Sequence, residues 1–253
     1  MGHNPEPQHD RVAIVTGGSR GIGAAIVRRL HSQGYAVLFT HSASEEDAKA
    51  IELELNASGP RCQSLKIDVG SADAPAAVFN AAEALGTVVA LINNAGITGP
   101  LGKLVDLDDA VLSRILAVNL QAPIRFSREA ARRWAGRSFR SSIIHVTSIA
   151  ARTGSPGEYV AYAATKGALE TFTVGLAREL AADAIHVNAV SPGTIDTTIH
   201  ARAGEPGRAL RVAQNVPLKR PGQADEIANA VAWLLSDEAS YVTAAVLPVT
   251  GGL

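Results

Sequence analysis

Between Ser148 and Lys166 the chain carries a hydroxyl, a phenol and an amine at spacings that let them converge on one reacting carbonyl. The stretch reads Ser148-Ile-Ala-Ala-Arg-Thr-Gly-Ser-Pro-Gly-Glu-Tyr-Val-Ala-Tyr162-Ala-Ala-Thr-Lys166. If the residues after Pro156 and Gly157 are helical, Tyr162 and Lys166 stand four apart and project from one face. A positive charge about 5 Å from the phenol, at an effective dielectric near 20, is worth roughly 3 kcal/mol, or roughly 2 pKa units. A phenol that starts near pKa 10 then comes down to about 8, where it exchanges a proton close to neutral pH. Hydride arriving at a carbonyl carbon leaves negative charge on the oxygen, which needs donors aimed at it and then a proton. Ser148 can donate and orient, Tyr162 can deliver the proton, and Lys166 can stabilise the tyrosinate left behind. Tyr-x-x-x-Lys is also an ordinary pair on a helix surface, so the chemistry depends on the motifs around it.

Those motifs sit on alternating strands and helices. Val12–Thr16 is a β-branched run of the buried parallel kind, and it feeds Gly17-Gly-Ser-Arg-Gly-Ile-Gly23 and an apolar-periodic helix, Ala24–Gln33. A Gly-rich turn between strand and helix lets backbone N–H groups approach a pyrophosphate at the positive helix end. Alternation continues with strands over 36–40, 61–67, 88–93, 142–147, 185–190 and 243–249. Helices are expected over 45–56, 72–85, 108–134, 158–182 and 224–235, with a Gly/Pro-interrupted insert over 194–215. The pattern predicts an α/β fold: a single-domain, Rossmann-type doubly wound parallel sheet with helices on both faces. Pro248 lacks a ladder donor and places the last strand at the sheet edge. Residues 1–10 read as a disordered tail and 11–253 as one domain. Asp196 and Asp225 read as helix caps, Glu158 as a first-turn acid, and Asn93 as either a strand-end cap or part of the site.

From Arg11 to Leu253 the chain resembles the short-chain dehydrogenase/reductase family. The matching motifs are Thr16-Gly-Gly-Ser-Arg-Gly-Ile-Gly23, Asp68-Val69, Asn93-Asn-Ala-Gly96, Asn119, Ser148, Tyr162 with Lys166, and Ser191-Pro-Gly193 followed by Ile195 and Thr197. The resemblance implies a nicotinamide coenzyme held by Gly17, Ser19, Arg20, Gly21, Ile22 and Gly23. It implies that Asp68 and Val69 hold the adenine, and that Asn94, Ala95 and Gly96 back the adenosine ribose. Tyr162 and Lys166 would meet the nicotinamide ribose, Pro192, Gly193 and Ile195 the carboxamide side, and Thr197 the phosphates. Asn119, Ser148, Tyr162 and Lys166 would be the catalytic four, with Asn119 positioning a water that returns the proton. It also implies a homotetramer in which long helices pair across a two-fold axis and the edge strand makes a second contact. Thr250-Gly251-Gly252 departs from the many relatives that carry an acid before the terminal glycine pair, which leaves subunit contacts open.

Coenzyme choice turns on Val37-Leu-Phe-Thr40-His41-Ser42. A carboxylate there would accept the ribose hydroxyls and repel a 2′-phosphate, and no acid appears until Glu45. Thr40 and Ser42 offer neutral donors, His41 adds a charge when protonated, and Arg20 supplies a fixed cation, so the expected coenzyme is NADP(H).

The rest of the chain excludes more than it adds. With 253 residues, 47% apolar, and 23 basic against 24 acidic side chains, the formal charge of −1 gives no case for nucleic acid or an anionic membrane as partner. The single cysteine, Cys62, fits a reducing, cytoplasmic setting and a buried core position. The histidines lack metal-ligand spacing, and no metal is expected. The expected function is hydride transfer between NADP(H) and a small carbonyl or alcohol. A 3-oxoacyl-carrier-protein reductase, with Arg128, Arg132, Arg133, Arg137 and Arg140 as a basic surface, stays open, although Asp183 stands where such enzymes tend to carry a basic residue. A sugar dehydrogenase and a non-catalytic coenzyme-binding sensor also stay open. Glycines around Gly204-Glu-Pro-Gly207, beside Ile199 and His200, suit a lid that closes over substrate.

Overall fold

The computed structural model describes residues 11–57, 59, 61–197, 205 and 207–253, with the backbone alone at 208–210. The expected tail, residues 1–10, and the expected lid around Ile199, His200 and Gly204 lie outside the described residues.

The strands are β1 (Arg11–Val15), β2 (Ala36–His41), β3 (Cys62–Lys66), β4 (Thr87–Asn93), β5 (Ser141–Val146), β6 (Ile185–Pro192) and β7 (Val246–Val249). All pair in parallel, in the order β3-β2-β1-β4-β5-β6-β7. The helices are α1 (Gly21–Ser32), α2 (Glu45–Asn56), α3 (Ala74–Glu83), α4 (Asp109–Leu116), α5 (Ala122–Trp134), α6 (Ala150–Thr153), α7 (Val160–Leu180), α8 (Arg208–Ala213) and α9 (Ala224–Leu235). Because successive strand residues point to opposite faces, the apolar runs feed two cores. Ala13, Val15, Val37 and Phe39 pack under α1, α2 and α9. Val12, Ile14, Leu38 and Leu91 pack under α3, α5 and α7, around the fully buried Trp134 and Phe79. The chain reverses its winding at β1/β4, which opens a crevice at the strands' C-terminal ends.

Several boundaries differ from expectation for identifiable reasons. Helix α1 begins at Gly21 rather than Ala24: a Cβ on Gly23 would lie 2.1 Å from the Gly17 carbonyl oxygen, so the first turn tolerates only glycine there. The expected long helix over 108–134 is broken by a π-helical segment, Ala117–Gln121, in which Ala122 N donates to Ala117 O. Pro123 has no N–H for Asn119 O, the acceptor four residues earlier, and the wider turn accommodates that loss.

Helix α7 starts at Val160 because Gly154, Ser155 and Gly157 turn the chain with positive φ just before it. Glu158 is therefore outside the helix, and its carboxylate reaches Arg211 of α8 at 3.2 Å. Asp225 is a first-turn acid; the cap of α9 is Gln223, paired with Glu226 in a capping box. Among the described residues Asp196 caps no helix: it follows the isolated bridge between Ile195 and Gly222, its N–H donates to Gly222 O at 2.9 Å, and the segment it leads into lies outside the described residues. Asn93 is the last residue of β4, at the strand end, and its buried amide donates to Ser127 Oγ at 3.3 Å.

β7 is the edge strand, shortened to Val246–Val249 because Ala244 takes φ 63°. Burial pushes the Cys62 thiol up to about 12, so it acts as an inert small apolar filler. Among the described residues no helix is long and apolar enough to cross a membrane, and no group of His, Cys, Asp or Glu is arranged to hold a metal.

Candidate active site

The glycine loop is pinned on both sides. Asn94 Nδ2 donates to Thr16 O and Gly17 O, both at 3.0 Å, and Thr16 Oγ1 accepts from Asn94 N and Ala95 N at 3.0 and 3.1 Å. Gly17, at φ 68°, passes so close to Ala95 that a Cβ would lie 3.0 Å from its Cα. Phe39 fills the space where Gly18 would carry a side chain, at 2.5 Å. The N-terminus of α1 has neither a capping side chain nor an acid in its first turn, so its orphan N–H groups and positive dipole end suit an anionic group.

At the end of β2 the three expected 2′-phosphate readers divide. Thr40 is fully buried and its Oγ1 accepts from Gly17 N at 3.0 Å, which makes it a brace for the loop rather than an open donor. His41 is 6% exposed, and desolvation lowers its pKa below the ordinary 6.5, which favours the neutral ring at pH 7. Its buried Nδ1 has no hydrogen-bond partner among the described residues. Ser42 is exposed.

Asp68 is held in a two-pronged pair with Arg114 of α4, at 2.7 and 2.8 Å, and also accepts from Gly70 N at 2.9 Å. The Arg114 guanidinium first, and the Gly70 N–H after it, hold this carboxyl below the usual carboxylate range. The sequence reading missed Arg114.

At the reacting end, Lys166 Nζ donates to Val146 O at 2.8 Å and lies 5.6 Å from the Tyr162 ring centroid, so one turn of α7 brings ammonium and phenol together as the spacing implied. Lys166 is 3% exposed, and burial pulls its pKa from 10.5 down to about 8. Ser148 Oγ accepts from Ala150 N at 3.1 Å, which leaves its proton available to an outside acceptor. Asn119 is fully buried behind this wall: its Oδ1 accepts from Ile97 N at 2.9 Å, and its Nδ2 donates to Ile97 O at 2.8 Å and to Thr165 Oγ1 at 3.3 Å.

A cleft of about 440 Å³ joins these pieces. Every expected catalytic or coenzyme-holding residue lines it except Asn119, from Gly17, Ser19, Arg20, Gly21, Ile22 and Gly23 through Thr40, His41, Ser42, Asp68, Val69, Asn94, Ala95 and Gly96 to Ser148, Tyr162, Lys166, Pro192, Gly193, Ile195 and Thr197. The cleft also takes in Tyr159, Val212 and the terminal Leu253, which no local pattern marks. The C-terminal segment is part of the wall, since a Cβ on Gly193 would lie 2.7 Å from Thr250 Cα. The uncapped helix end, the glycine cradle and the unpartnered His41 nitrogen fit a dinucleotide phosphate.

Residues 17–253 match the protein family described as Enoyl-(Acyl carrier protein) reductase. A 3-oxoacyl-[acyl-carrier-protein] reductase of Pseudomonas aeruginosa is 41% identical over 249 residues, covering 96% of this chain and 97% of that protein. A short-chain dehydrogenase of Burkholderia cenocepacia solved in complex with NADP superposes with a TM-score of 0.86 at 35% identity, over 98% of this chain and 99% of that one. A 3-ketoacyl-(acyl-carrier-protein) reductase of Brucella melitensis complexed with NADH gives 0.88 at 26% identity, over 97% and 98%. With a seven-stranded parallel sheet, a glycine cradle at its winding reversal, and Ser148, Tyr162 and Lys166 on one cleft wall, the chain belongs to the short-chain dehydrogenase/reductase family of oxidoreductases.

Proposed function

We propose that this protein moves a hydride between NADP(H) and a small carbonyl or alcohol compound, with Tyr162 as general acid and base. The carrying observation is that Ser148, Tyr162 and Lys166 line the same cleft as the glycine cradle. The coenzyme, when bound, supplies or accepts the hydride. Ser148, its lone pair occupied by Ala150 N–H, orients the substrate oxygen with its remaining proton. Tyr162 gives that oxygen its proton, and Lys166, whose Nζ lies 5.6 Å from the Tyr162 ring centroid, stabilises the resulting phenolate. Asn119 serves by bracing Ile97 and Thr165, which fixes the wall beside Tyr162 and Lys166. Gly17 to Gly23 would hold the phosphates, and Arg20, at the N-cap of α1, would supply the cation for a 2′-phosphate.

The identity to a 3-oxoacyl-[acyl-carrier-protein] reductase favours a second reading, a carrier-linked substrate. Three of the five arginines are engaged within the chain, Arg133 with Glu83 and Glu129, Arg137 with Val88 O and Arg140 with Leu235 O, which leaves Arg128 and Arg132 as the exposed pair on α5. Val88 is the second residue of β4 and Ser141 the first of β5, so Arg137 and Arg140 sit at the opposite end of their own sheet from the cleft.

Turnover with NADPH over acetoacetyl thioesters, aldoses, quinones and simple ketones tests the proposal and separates its substrate classes. Silence across the panel with coenzyme still bound would make the chain a coenzyme sensor. The variant Tyr162→Phe is expected to lose about 10²- to 10⁴-fold in kcat with coenzyme affinity nearly unchanged. Retention of more than about a tenth of the activity would remove Tyr162 from the proton transfer.

A further inference from the structure

Behind the cleft a chain of buried polar side chains crosses four elements: Asn93 of β4, Ser127 of α5, His145 of β5 and Thr173 of α7, none more than 3% exposed. Its direction is fixed by chemistry. Thr173 Oγ1 donates its only proton to Leu169 O at 2.8 Å, so it must accept from His145 Nδ1, also at 2.8 Å. With the ring proton on Nδ1, Nε2 is an acceptor, and it takes the Ser127 hydroxyl proton at 3.1 Å. Ser127 Oγ in turn accepts from Asn93 Nδ2 at 3.3 Å. Every hydroxyl and ring nitrogen in the chain thus has the partner its tautomer requires. Burial holds this imidazole neutral, near pKa 3.

The chain ends on the helix that carries the reacting groups. Tyr162, Lys166, Leu169 and Thr173 follow one another at helical spacings of four, three and four, so they form one stripe of α7. That stripe meets β5 twice through adjacent residues: Lys166 bonds Val146 O at the cleft, and Thr173 bonds His145 behind it. Aliphatic side chains would fill the same space with little loss of stability, because a buried hydrogen bond nets only about 1 kcal/mol once desolvation is counted. What aliphatic contacts cannot do is fix a distance, since they tolerate sliding of a helix along a sheet.

We propose that His145, with Ser127 and Thr173, is a positioning device that sets the seat of α7 on β5 and thereby holds Lys166 and Tyr162 at the cleft wall. This rests on the reading of Tyr162 and Lys166 as the proton-transfer pair.

The test compares full-length Thr173→Val, which keeps the shape and removes the hydroxyl, with Thr173→Ser, which restores it. The valine variant is expected to lose about 10- to 100-fold in kcat, the scale of a sub-ångström to 1 Å misplacement. Its coenzyme Kd, read by NADPH fluorescence, should move by less than about threefold, and the serine variant should recover kcat to within about threefold. A folded valine variant with wild-type kcat, or a serine variant as impaired as valine, overturns the proposal. If the valine variant does not fold, Ser127→Ala breaks the chain at its other end and is judged by the same drop in kcat. The carbon-13 resonance of the Lys166 ε-methylene reads the seat of α7 without turnover. It should shift in Thr173→Val and return in Thr173→Ser, and an unmoved resonance in Thr173→Val overturns positioning. A wild-type chain inactive on every carbonyl tried would defeat the enzymatic reading by itself, and the lysine resonance would still decide the seat of α7.

Discussion

Lys166 shows how one side chain serves chemistry at a cost to the fold. It is buried with one carbonyl partner, and desolvation alone brings its pKa from 10.5 to about 8. The folded state therefore binds fewer protons than the unfolded state between those two values, and stability rises with pH across that window. Below about pH 8 the full penalty applies, on the order of 3 kcal/mol for a shift of that size. Replacing Lys166 by Met should therefore abolish turnover while raising stability at pH 7 by about 2 kcal/mol, allowing for the lost bond to Val146 O. The gain should fade towards pH 10.5, which urea melts of both proteins at the two pH values would show.

Arg20 and His41 are the other residue-scale case. Preference for NADP over NAD is expected to be roughly 10- to 150-fold in kcat/KM, one charge-assisted contact's worth, and Arg20→Ala should remove most of it. Because burial already favours the neutral His41 ring at pH 7, the preference should hardly change between pH 7 and 8, and His41→Asp should tilt it towards NAD. Equal efficiency of the wild type with both coenzymes would refute the assignment.

At the scale of elements, the junction of β1 with α1 is built around absent side chains. Gly23 packs its Cα against the Gly17 carbonyl, and Asn94 donates to the same oxygen. Gly23→Ala would force the loop away from β4, so it should cost about 1–3 kcal/mol in stability, the range of overpacked sites, and abolish coenzyme binding. Thermal melting with and without NADPH would register both effects, and a variant that melts like wild type and is still stabilised by NADPH would contradict them. The π-helical turn between α4 and α5 is the second such junction, placing Asn119 beneath Ile97 and beside Thr165 in a way a continuous helix would not.

For the whole molecule the expectation is a homotetramer. β7 is a bare sheet edge, and Val160 at the start of α7 and Leu116 at the end of α4 are apolar residues left partly exposed. Light scattering at micromolar concentration should give four times the 26.2 kDa chain mass, and a monomer mass would overturn the expectation. The C-terminus is already engaged within the chain, since Gly251 O accepts from Leu218 N at 3.1 Å and Leu253 lines the cleft. The departure at Thr250-Gly251-Gly252 therefore bears on the site wall of the chain itself.

What was legible in the amino-acid order was whatever physics confines to a short stretch. The β-branched runs, the Gly17–Gly23 turn, the edge position forced by Pro248 and the one-turn spacing of Tyr162 and Lys166 each follow from neighbours within about one or two turns or a strand's length. Only the tertiary structure decided the rest. Arg114 meets Asp68 from 46 residues away, and Ser127, His145 and Thr173 form one chain although they come from three different elements. The same holds for charge: His41 and Lys166 read as ordinary titrating groups in the sequence, and the packing that surrounds them lowers both. Desolvation and long-range pairing depend on which surfaces meet, and no local spacing encodes that.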